Sequence, residues 1–222
     1  MNTVQVKHTI AVIGGTGAEG SGLALRWAKA GHRVLIGSRT ADKAIEQASA
    51  LNALLGLQAI KGLDNVSAAR EGDIVVLTVP YAGQVATAGE LAQFLSGKIL
   101  VDATVPLVPP KVSRVNLPES GSAVAALQAH LGPDVRVVSA FQNVSAHFLK
   151  DLDHRIDCDV LVCGDSKEAR EVVIGLAADL GLRGLHAGPI CNSAAAEALT
   201  SILISINVNY KVQGAGIRIT GI

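Results

Sequence analysis

The sequence has no excess of charge of either sign. Its 222 residues include 19 Lys and Arg and 19 Asp and Glu, so the formal net charge at pH 7 is zero when the histidines are neutral. Proteins that bind nucleic acid or an anionic membrane surface usually carry a basic excess, because they neutralise phosphate groups. We therefore expect neither a nucleic-acid partner nor a membrane partner.

The sequence also has no long uninterrupted apolar run. Its first residues, MNTVQVKHTIAVIGG, lack the apolar region and the small-residue cleavage site of a signal peptide. Polar or charged residues interrupt every candidate membrane span elsewhere in the chain. These absences lead us to expect a cytoplasmic protein.

Cysteine is scarce, and the histidines are scattered. Cys158, Cys163 and Cys191 form no C-x-x-C pair, and their odd number argues against a disulfide framework or a thiolate zinc site. No pair of the six histidines has the spacing of metal ligands. We therefore expect no metal site.

Short apolar runs that alternate with helical patterns occupy most of the chain. This alternation is typical of βαβ units and a mostly parallel sheet. We predict an α/β fold with a Rossmann-type doubly wound sheet and a small C-terminal α/β lobe. The predicted strands of the first part lie at 8–14, 33–38, 57–62, 73–80, 98–104 and 135–141, the third being weak; one helix covers 20–31, and another begins after Thr40 with Ala44, Ala48, Leu51 and Leu55 on one face.

The second part of the chain is predicted to complete the substrate cleft. Residues 158–164 and 183–188 are predicted strands, a helix runs from Ser166 to Gly181, and a long helix closes the chain around 194–210. We place residues 1–148 in a Rossmann domain and residues 149–222 in the lobe. Four prolines between Ala103 and Gly121 predict an irregular segment, which in a compact domain is usually functional or mobile.

The segment VIGGTGAEGSG follows the first strand and opens a helix. Gly15, Gly17 and Gly20 in it satisfy G-x-G-x-x-G, the pattern in which backbone approaches a dinucleotide pyrophosphate at a helix start. A competing register, Gly14, Gly17 and Gly20, also fits extended short-chain dehydrogenases and their NADP-sensing relatives. The Tyr-x-x-x-Lys signature of those enzymes is absent, since neither tyrosine is followed by lysine four residues later.

The end of the second strand indicates which dinucleotide binds. An NAD site usually has a carboxylate there, which bonds the ribose 2′-hydroxyl and repels a 2′-phosphate. This chain instead has Ser38 and Arg39, with Lys43 one turn into the next helix. A hydroxyl and a planar guanidinium suit a phosphate, so the pattern predicts NADP.

The predicted cleft has no evident proton donor. Gln142 and Asn143 follow the sixth strand, and they are orienting groups, not strong acids. Hydride transfer between two ring systems needs alignment more than a protein acid. TVPYAGQ and DATVPLVPP, at the ends of the fourth and fifth strands, are the predicted walls of such a slot.

Several segments together resemble the NADPH-dependent coenzyme F420 reductases over almost the whole chain. These are IAVIGGTGAEGSGLALRWAKAGHRVLIGSR, IVVLTVP, VVSAFQNVSA, CDVLVCGD, AGPICNS, EALTSILISIN and GAGIRITG. The resemblance implies reversible hydride transfer between NADP and the 8-hydroxy-5-deazaflavin coenzyme F420, with no protein residue acting chemically. It also implies a homo-oligomer, commonly a dimer.

The resemblance also implies positions for both coenzymes. The NADP positions are Thr16, Gly17, Ala18 and Glu19 at the loop, Ser38, Arg39 and Lys43 at the phosphate, and Thr78, Val79 and Pro80 near the nicotinamide; the deazaflavin positions are Val105, Pro106, Gln142 and Asn143, with Asn207 as a weaker candidate. Some members have histidine where this chain has Gln142. For Glu19 we expect the backbone amide to serve and the side chain to point away.

Two other functions stay open at this point. The chain could use NADPH to reduce another small substrate, and the departure at Gln142 is compatible with that. It could also be a non-catalytic module that senses NADP(H). A sensor needs no room above the nicotinamide, whereas a deazaflavin reductase needs a flat slot open to solvent.

Overall fold

The computed structural model describes residues 6–222, and residues 1–5 lie outside the described part. The described residues form one eight-stranded sheet with the order β3-β2-β1-β4-β5-β6-β7-β8. The strands are β1 (Thr9–Ile13), β2 (Arg33–Ser38), β3 (Ile60–Asp64), β4 (Ile74–Leu77), β5 (Ile99–Asp102), β6 (Arg136–Ser139), β7 (Asp159–Gly164) and β8 (Arg183–His186). Neighbouring strands are parallel except β6 and β7.

The helices connect these strands and cover the sheet. They are α1 (Ala18–Lys29), α2 (Ala41–Leu55), α3 (Asn65–Glu71), α4 (Gln84–Leu91), α5 (Ala123–Leu131), α6 (Ala146–Leu149), α7 (Lys167–Asp179) and α8 (Ser193–Tyr210), with 3-10 turns at Tyr81–Gly83, Ala92–Phe94 and Ile190–Asn192. The α/β architecture with a mostly parallel sheet confirms the predicted fold class.

Successive side chains of a strand point to opposite faces of the sheet, so the core is divided between the two faces. Ile10 and Val12 of β1 belong to one buried cluster, whereas Ala11 and Ile13 belong to the other. Because helices cover both faces of the sheet, the central strands are buried along almost their whole length. Their sequences are therefore nearly continuous apolar runs.

Most predicted elements are confirmed with boundaries that move by a few residues. Among the strands, the weak third one shows the largest shift of its start, since it begins at Ile60 and not at residue 57. Gly56 ends α2 in the left-handed conformation with φ of 65°, and the Asn52 side chain then binds the backbone N–H groups of Ala59 and Ile60. That turn occupies residues 57–59, so the strand begins late.

The prediction for Thr40 was half correct. Thr40 occupies the N-cap position of α2, but its side chain accepts no hydrogen bond from the helix. The predicted apolar face is present, since Ala44, Ala48 and Leu51 are buried. The predicted irregular segment is also confirmed, because the described chain has no helix or strand between Asp102 and Ala123.

The chain after residue 148 continues the same sheet and the same core. β7 pairs with β6 through Val138 and Gly164 and through Ser139 and Cys163. Val160 and Val162 of β7 belong to the same buried cluster as Ile10 and Val12 of β1. The domain boundary near residue 148 stays a prediction.

Arg26 joins α1 to the segment that follows β6. Its guanidinium donates to the backbone oxygens of Leu149 at 2.8 Å and Asp151 at 2.5 Å, and to those of Phe148 and His154 at 3.1 Å. A buried guanidinium is tolerated where its donors are satisfied in this way. The side chain therefore fixes residues 148–154 against the first βαβ unit.

Among the described residues, the segment Ile190–Tyr210 is long and apolar enough to cross a membrane by length and composition. A single helix of this kind is weak support for a membrane protein, because core helices of soluble proteins pass the same test. Glu197 in α8 is buried and bonds the backbone N–H groups of Ala123 and Val124, so this helix is part of the α/β fold.

Candidate coenzyme site

The glycine loop turns sharply between β1 and α1. The N–H groups of Gly14 and Gly15 donate to the Gly37 oxygen of β2 at 3.2 and 3.3 Å, and the N–H of Gly17 donates to the Gly14 oxygen at 3.0 Å. Gly14 has φ of +78°, a conformation that favours glycine. Gly17 is the N-cap of α1. Because glycine has no side chain that could cap the helix, the first backbone N–H groups of α1 are available to an anion.

The three motif glycines differ in what surrounds them. A Cβ at Gly15 would lie 2.8 Å from the Val12 oxygen, and one at Gly20 would overlap Thr78 Oγ1. At Gly17 the nearest atom would be 3.4 Å away, an ordinary contact. The protein itself therefore needs glycine at 15 and 20, whereas at the exposed Gly17 the space is open to a ligand. Thr16 and Ala18 flank Gly17 on the same accessible turn.

Two cationic side chains lie just after the end of β2. Arg39 and Lys43 are exposed, and neither forms a hydrogen bond or ion pair with the described residues. Ser38 is nearly buried, and its hydroxyl accepts from the Thr40 N–H at 3.3 Å. This arrangement fits a phosphate, because two free cations and a hydroxyl lie beside the glycine loop with no carboxylate at the strand end.

Thr78, Val79 and Pro80 follow β4, which neighbours β1 on the side opposite β2. The strand order reverses between β1 and β4, and ligands of open α/β sheets bind at the carboxyl ends of strands at such a point. Thr78 Oγ1 donates to the Ile13 oxygen at 2.9 Å, which locks this strand end to β1. Val79 is half-buried and Pro80 is exposed, so both can face a ligand.

The predicted deazaflavin residues lie at the ends of β5 and β6. Val105 is half-buried, and Pro106, Gln142 and Asn143 are buried. Gln142 Nε2 donates to the Asp102 oxygen at 2.7 Å, which leaves the buried Oε1 atom without a partner. That atom is an acceptor in need of a donor, as a bound ligand would supply.

Asn143 and Asn207 have roles inside the protein. Asn143 Nδ2 donates to the Ala196 oxygen of α8 at 2.8 Å. Asn207 Oδ1 accepts from the Ala215 N–H at 2.8 Å and so holds the C-terminal segment. The structure therefore brings Gln142 and Asn143 together against α8, while Asn207 binds the chain end.

Sequence reasoning missed a buried carboxyl group at the centre of this edge. Asp102 is 0% exposed at the end of β5, where its side chain accepts from Gln84 Nε2 at 2.5 Å and from the Thr104 N–H at 2.9 Å. Burial, with repulsion from Glu197, raises the pKa of Asp102 to about 6. Gln84 Oε1 and Ser139 Oγ are also buried, and neither has a hydrogen-bond partner in the part of the chain that the structure describes. The sequence does contain a signal for Asp102, because this polar residue ends the apolar run of β5.

Glu19 lies in the first turn of α1 with a half-buried side chain. Burial, followed by repulsion from Asp102, raises the pKa of Glu19 to about 8. Its carboxyl group forms no hydrogen bond or ion pair with the described residues.

Two surface depressions lie away from this edge. One, of about 460 Å³, lies at the amino ends of β2 and β3, and the other, of about 430 Å³, lies between α5 and Ser166. Within the described residues no group of three or more His, Cys, Asp and Glu side chains is placed to hold a metal ion. The glycine loop and the strand ends beside it are the better candidate site.

Comparison with known proteins gives sequence matches to one family. A family model described as NADP oxidoreductase, coenzyme F420-dependent, matches residues 9–106. The F420-dependent NADP reductase of Methanocaldococcus jannaschii is 45% identical over 221 residues, covering 96% of this chain and 98% of that protein. The reductase of the same name from Methanothermobacter marburgensis is 38% identical over 220 residues, with the same coverage of both chains.

Solved structures match the fold. A protein from Arthrobacter sp. FB24 superposes with a TM-score of 0.80 at 25% identity, covering 96% of this chain and 100% of that one. An imine reductase from Myxococcus stipitatus has a TM-score of 0.61 at 21% identity, covering 93% of this chain and 62% of that one. The second likeness shows the fold alone.

Proposed function

This chain belongs to the family of F420-dependent NADP reductases, and from that premise we propose that it transfers hydride reversibly between NADP(H) and the deazaflavin coenzyme F420. The observation that carries the proposal is the full-length similarity to reductases of that name. The site geometry supports it, because a glycine loop, free cations and an unpartnered acceptor meet at one edge of the sheet.

We assign the dinucleotide to the glycine loop and the end of β2. Backbone groups of Gly15, Thr16, Gly17, Ala18, Glu19 and Gly20 would face the pyrophosphate, and the side chains of Ser38, Arg39 and Lys43 would hold the 2′-phosphate. Thr78, Val79 and Pro80 would border the nicotinamide. Free guanidinium and ammonium groups at this position favour NADP over NAD.

The second coenzyme is assigned to the ends of β5 and β6. Val105 and Pro106 supply apolar wall, and Gln142 supplies a fixed acceptor, since its Nε2 is held by the Asp102 backbone oxygen. Asn143 stiffens this wall by binding α8. The paired coenzymes supply the hydride chemistry, while these residues hold two flat rings in register and keep water out.

A spectrophotometric assay tests the proposal. Purified protein with oxidised F420 and NADPH should bleach the deazaflavin absorbance rapidly, and NADH should give little bleaching. If the protein binds NADPH but no bleaching follows, the deazaflavin function is wrong. Reduction of another small substrate or NADP(H) sensing would then be the remaining functions.

We also propose a homodimer in the cytoplasm, with the exposed face of α8 as the contact between copies. Ala195, Leu199, Ile202 and Ile206 recur at helical spacing, and Ile202 is 47% exposed. Glu197, the one charged residue of α8, is buried and so leaves this stripe uncharged. A two-fold axis brings identical residues together, and an uncharged apolar stripe meets its own copy without repulsion.

A further inference from the structure

Asp102 lies between the segments that border the proposed coenzyme site. It ends β5, which pairs in parallel with β4 on one side and with β6 on the other. Residues 78–80, the proposed nicotinamide wall, follow β4, whereas residues 105–106, the proposed deazaflavin wall, follow β5 itself, and Gln142 follows β6. Because the carboxyl ends of parallel strands meet at one edge of a sheet, a side chain at this end of β5 can reach all three segments.

The carboxyl group of Asp102 connects the two walls by hydrogen bonds. Asp102 Oδ2 accepts from Gln84 Nε2 at 2.5 Å, and Asp102 Oδ1 accepts from the Thr104 N–H at 2.9 Å. Gln84 begins α4, directly after the 3-10 turn that follows the nicotinamide wall. Thr104 immediately precedes the deazaflavin wall. The position of each wall therefore depends on one oxygen of the same carboxyl group.

Two further hydrogen bonds extend this connection. The backbone oxygen of Asp102 accepts from Gln142 Nε2 at 2.7 Å and so holds the side chain assigned to the deazaflavin. The Thr104 hydroxyl donates to the Val79 oxygen over a longer distance of 3.5 Å, directly between the two walls. Asp102 is thus bonded, through its side chain or its backbone, to all three segments that border the proposed site.

The burial of Asp102 shows how it could affect the coenzymes. Asp102 is 0% exposed and Gln84 is 1% exposed. A side chain without accessible surface does not touch a ligand, so any influence of Asp102 on the coenzymes passes through the residues that it holds. Hydrogen bonds between groups buried in this way are shielded from water and fix a single arrangement.

We propose that Asp102 is a positioning residue, whose hydrogen bonds to Gln84 and Thr104 set the spacing of the two walls and so align the nicotinamide with the deazaflavin. The inference rests on the proposed function for the identity of the two rings. Transfer between bound groups depends steeply on their alignment, and a misplacement of about 1 Å can lower its rate on the order of 100-fold.

The test separates the rate of hydride transfer from coenzyme binding. Stopped-flow single turnovers with NADPH and F420 both saturating give the rate, and fluorescence titrations give the two dissociation constants. Asp102→Ala removes both side-chain bonds and should slow transfer roughly 10- to 100-fold while each dissociation constant stays within about threefold of the wild type. Gln84→Ala removes one bond and should also slow transfer. Deuterium at the transferred position of NADPH should slow the measured step in every variant, because that step is hydride transfer.

A conservative variant should restore the rate. In Asp102→Asn the side-chain oxygen can still accept from the Thr104 N–H, and the new amide can donate to Gln84 Oε1 once the Gln84 amide turns over. That oxygen is buried and has no hydrogen-bond partner among residues 6–222. Both connections are then kept without the charge, so transfer by Asp102→Asn should be close to that of the wild type.

Asn52→Ala is the matched control for a loss of stability. Asn52 is also buried, and its side chain holds the backbone of Ala59 and Ile60 at the amino end of β3, the opposite end of the sheet from the coenzyme site. This variant should unfold at a lower temperature and still transfer hydride at the wild-type rate.

Several outcomes would overturn the inference while the proposed function stands. One is a wild-type rate in Gln84→Ala or in a folded Asp102→Ala. Another is a defect that disappears at saturating coenzyme, because Asp102 would then support binding alone. Equal slowing in Asp102→Asn would assign the effect to charge, and equal slowing in Asn52→Ala would assign it to stability. If the wild type itself transfers no hydride, the proposed function is wrong, and the inference falls with it.

Discussion

Arg39 is the side chain on which the proposed preference for NADP depends most. It is exposed, has no partner among residues 6–222, and lies where an NAD site usually has a carboxylate. Its identity could be read from the sequence, because strand end and glycine loop are fixed relative to each other in this fold. Whether other side chains pair with Arg39 could not be read from the sequence, since that depends on which side chains lie beside it in the fold.

Arg39→Ala should weaken NADPH binding by about 1 to 3 kcal/mol, the scale of a charge-assisted hydrogen bond. NADH binding should hardly change, because NADH has no 2′-phosphate. Fluorescence titration with both dinucleotides measures this. Arg33→Ala serves as the control, since Arg33 lies at the other end of β2 and pairs with Glu71. Equal losses for NADPH and NADH would contradict the phosphate role.

At the scale of an element, the turn between β1 and α1 also has features that the sequence predicts and features that only the structure reveals. The glycine spacing predicts the turn, and the structure separates the roles of its glycines. Gly20 packs against Thr78 at the end of β4, a contact between elements far apart in sequence. Gly17 has open space around it. Spacing alone does not distinguish these two roles.

Alanine at each position should therefore have a different effect. Gly20→Ala should reduce the free energy of unfolding by about 1 to 3 kcal/mol, as overpacking does, because the new methyl group meets Thr78 and Gly15. Gly17→Ala should unfold close to the wild-type temperature and lose NADPH affinity. Thermal unfolding and NADPH titration of both variants check this, and similar losses of stability would refute the distinction.

At the scale of the whole molecule, α8 connects the proposed coenzyme site to the proposed dimer contact. One face of the helix holds Asn143 through Ala196, and another exposes Ile202. The helix is apolar enough for a membrane, yet its buried Glu197 binds the start of α5. The composition of α8 does not reveal which of its faces packs against the rest of the protein.

Ile202→Glu should shift the protein from dimer to monomer, because a two-fold contact would bring two carboxylates together in an apolar interface. Sedimentation or light scattering measures the mass. Ile45→Glu on α2, at another exposed isoleucine, is the matched control and should leave the mass unchanged. A wild-type monomer, or a dimer in the Ile202 variant, would exclude this face.

The sequence by itself determined the fold class, the glycine loop and the cationic end of β2, because these depend on local periodicity and on residues near one another in the chain. Tertiary structure decided the rest. Asp102, Gln84, Ser139 and Gln142 come from separate segments and meet only where parallel strands end together. The late start of β3 depends on Asn52, and the shared core with β7 depends on packing. Burial is a property of that packing, so no local pattern could predict the surroundings of Asp102.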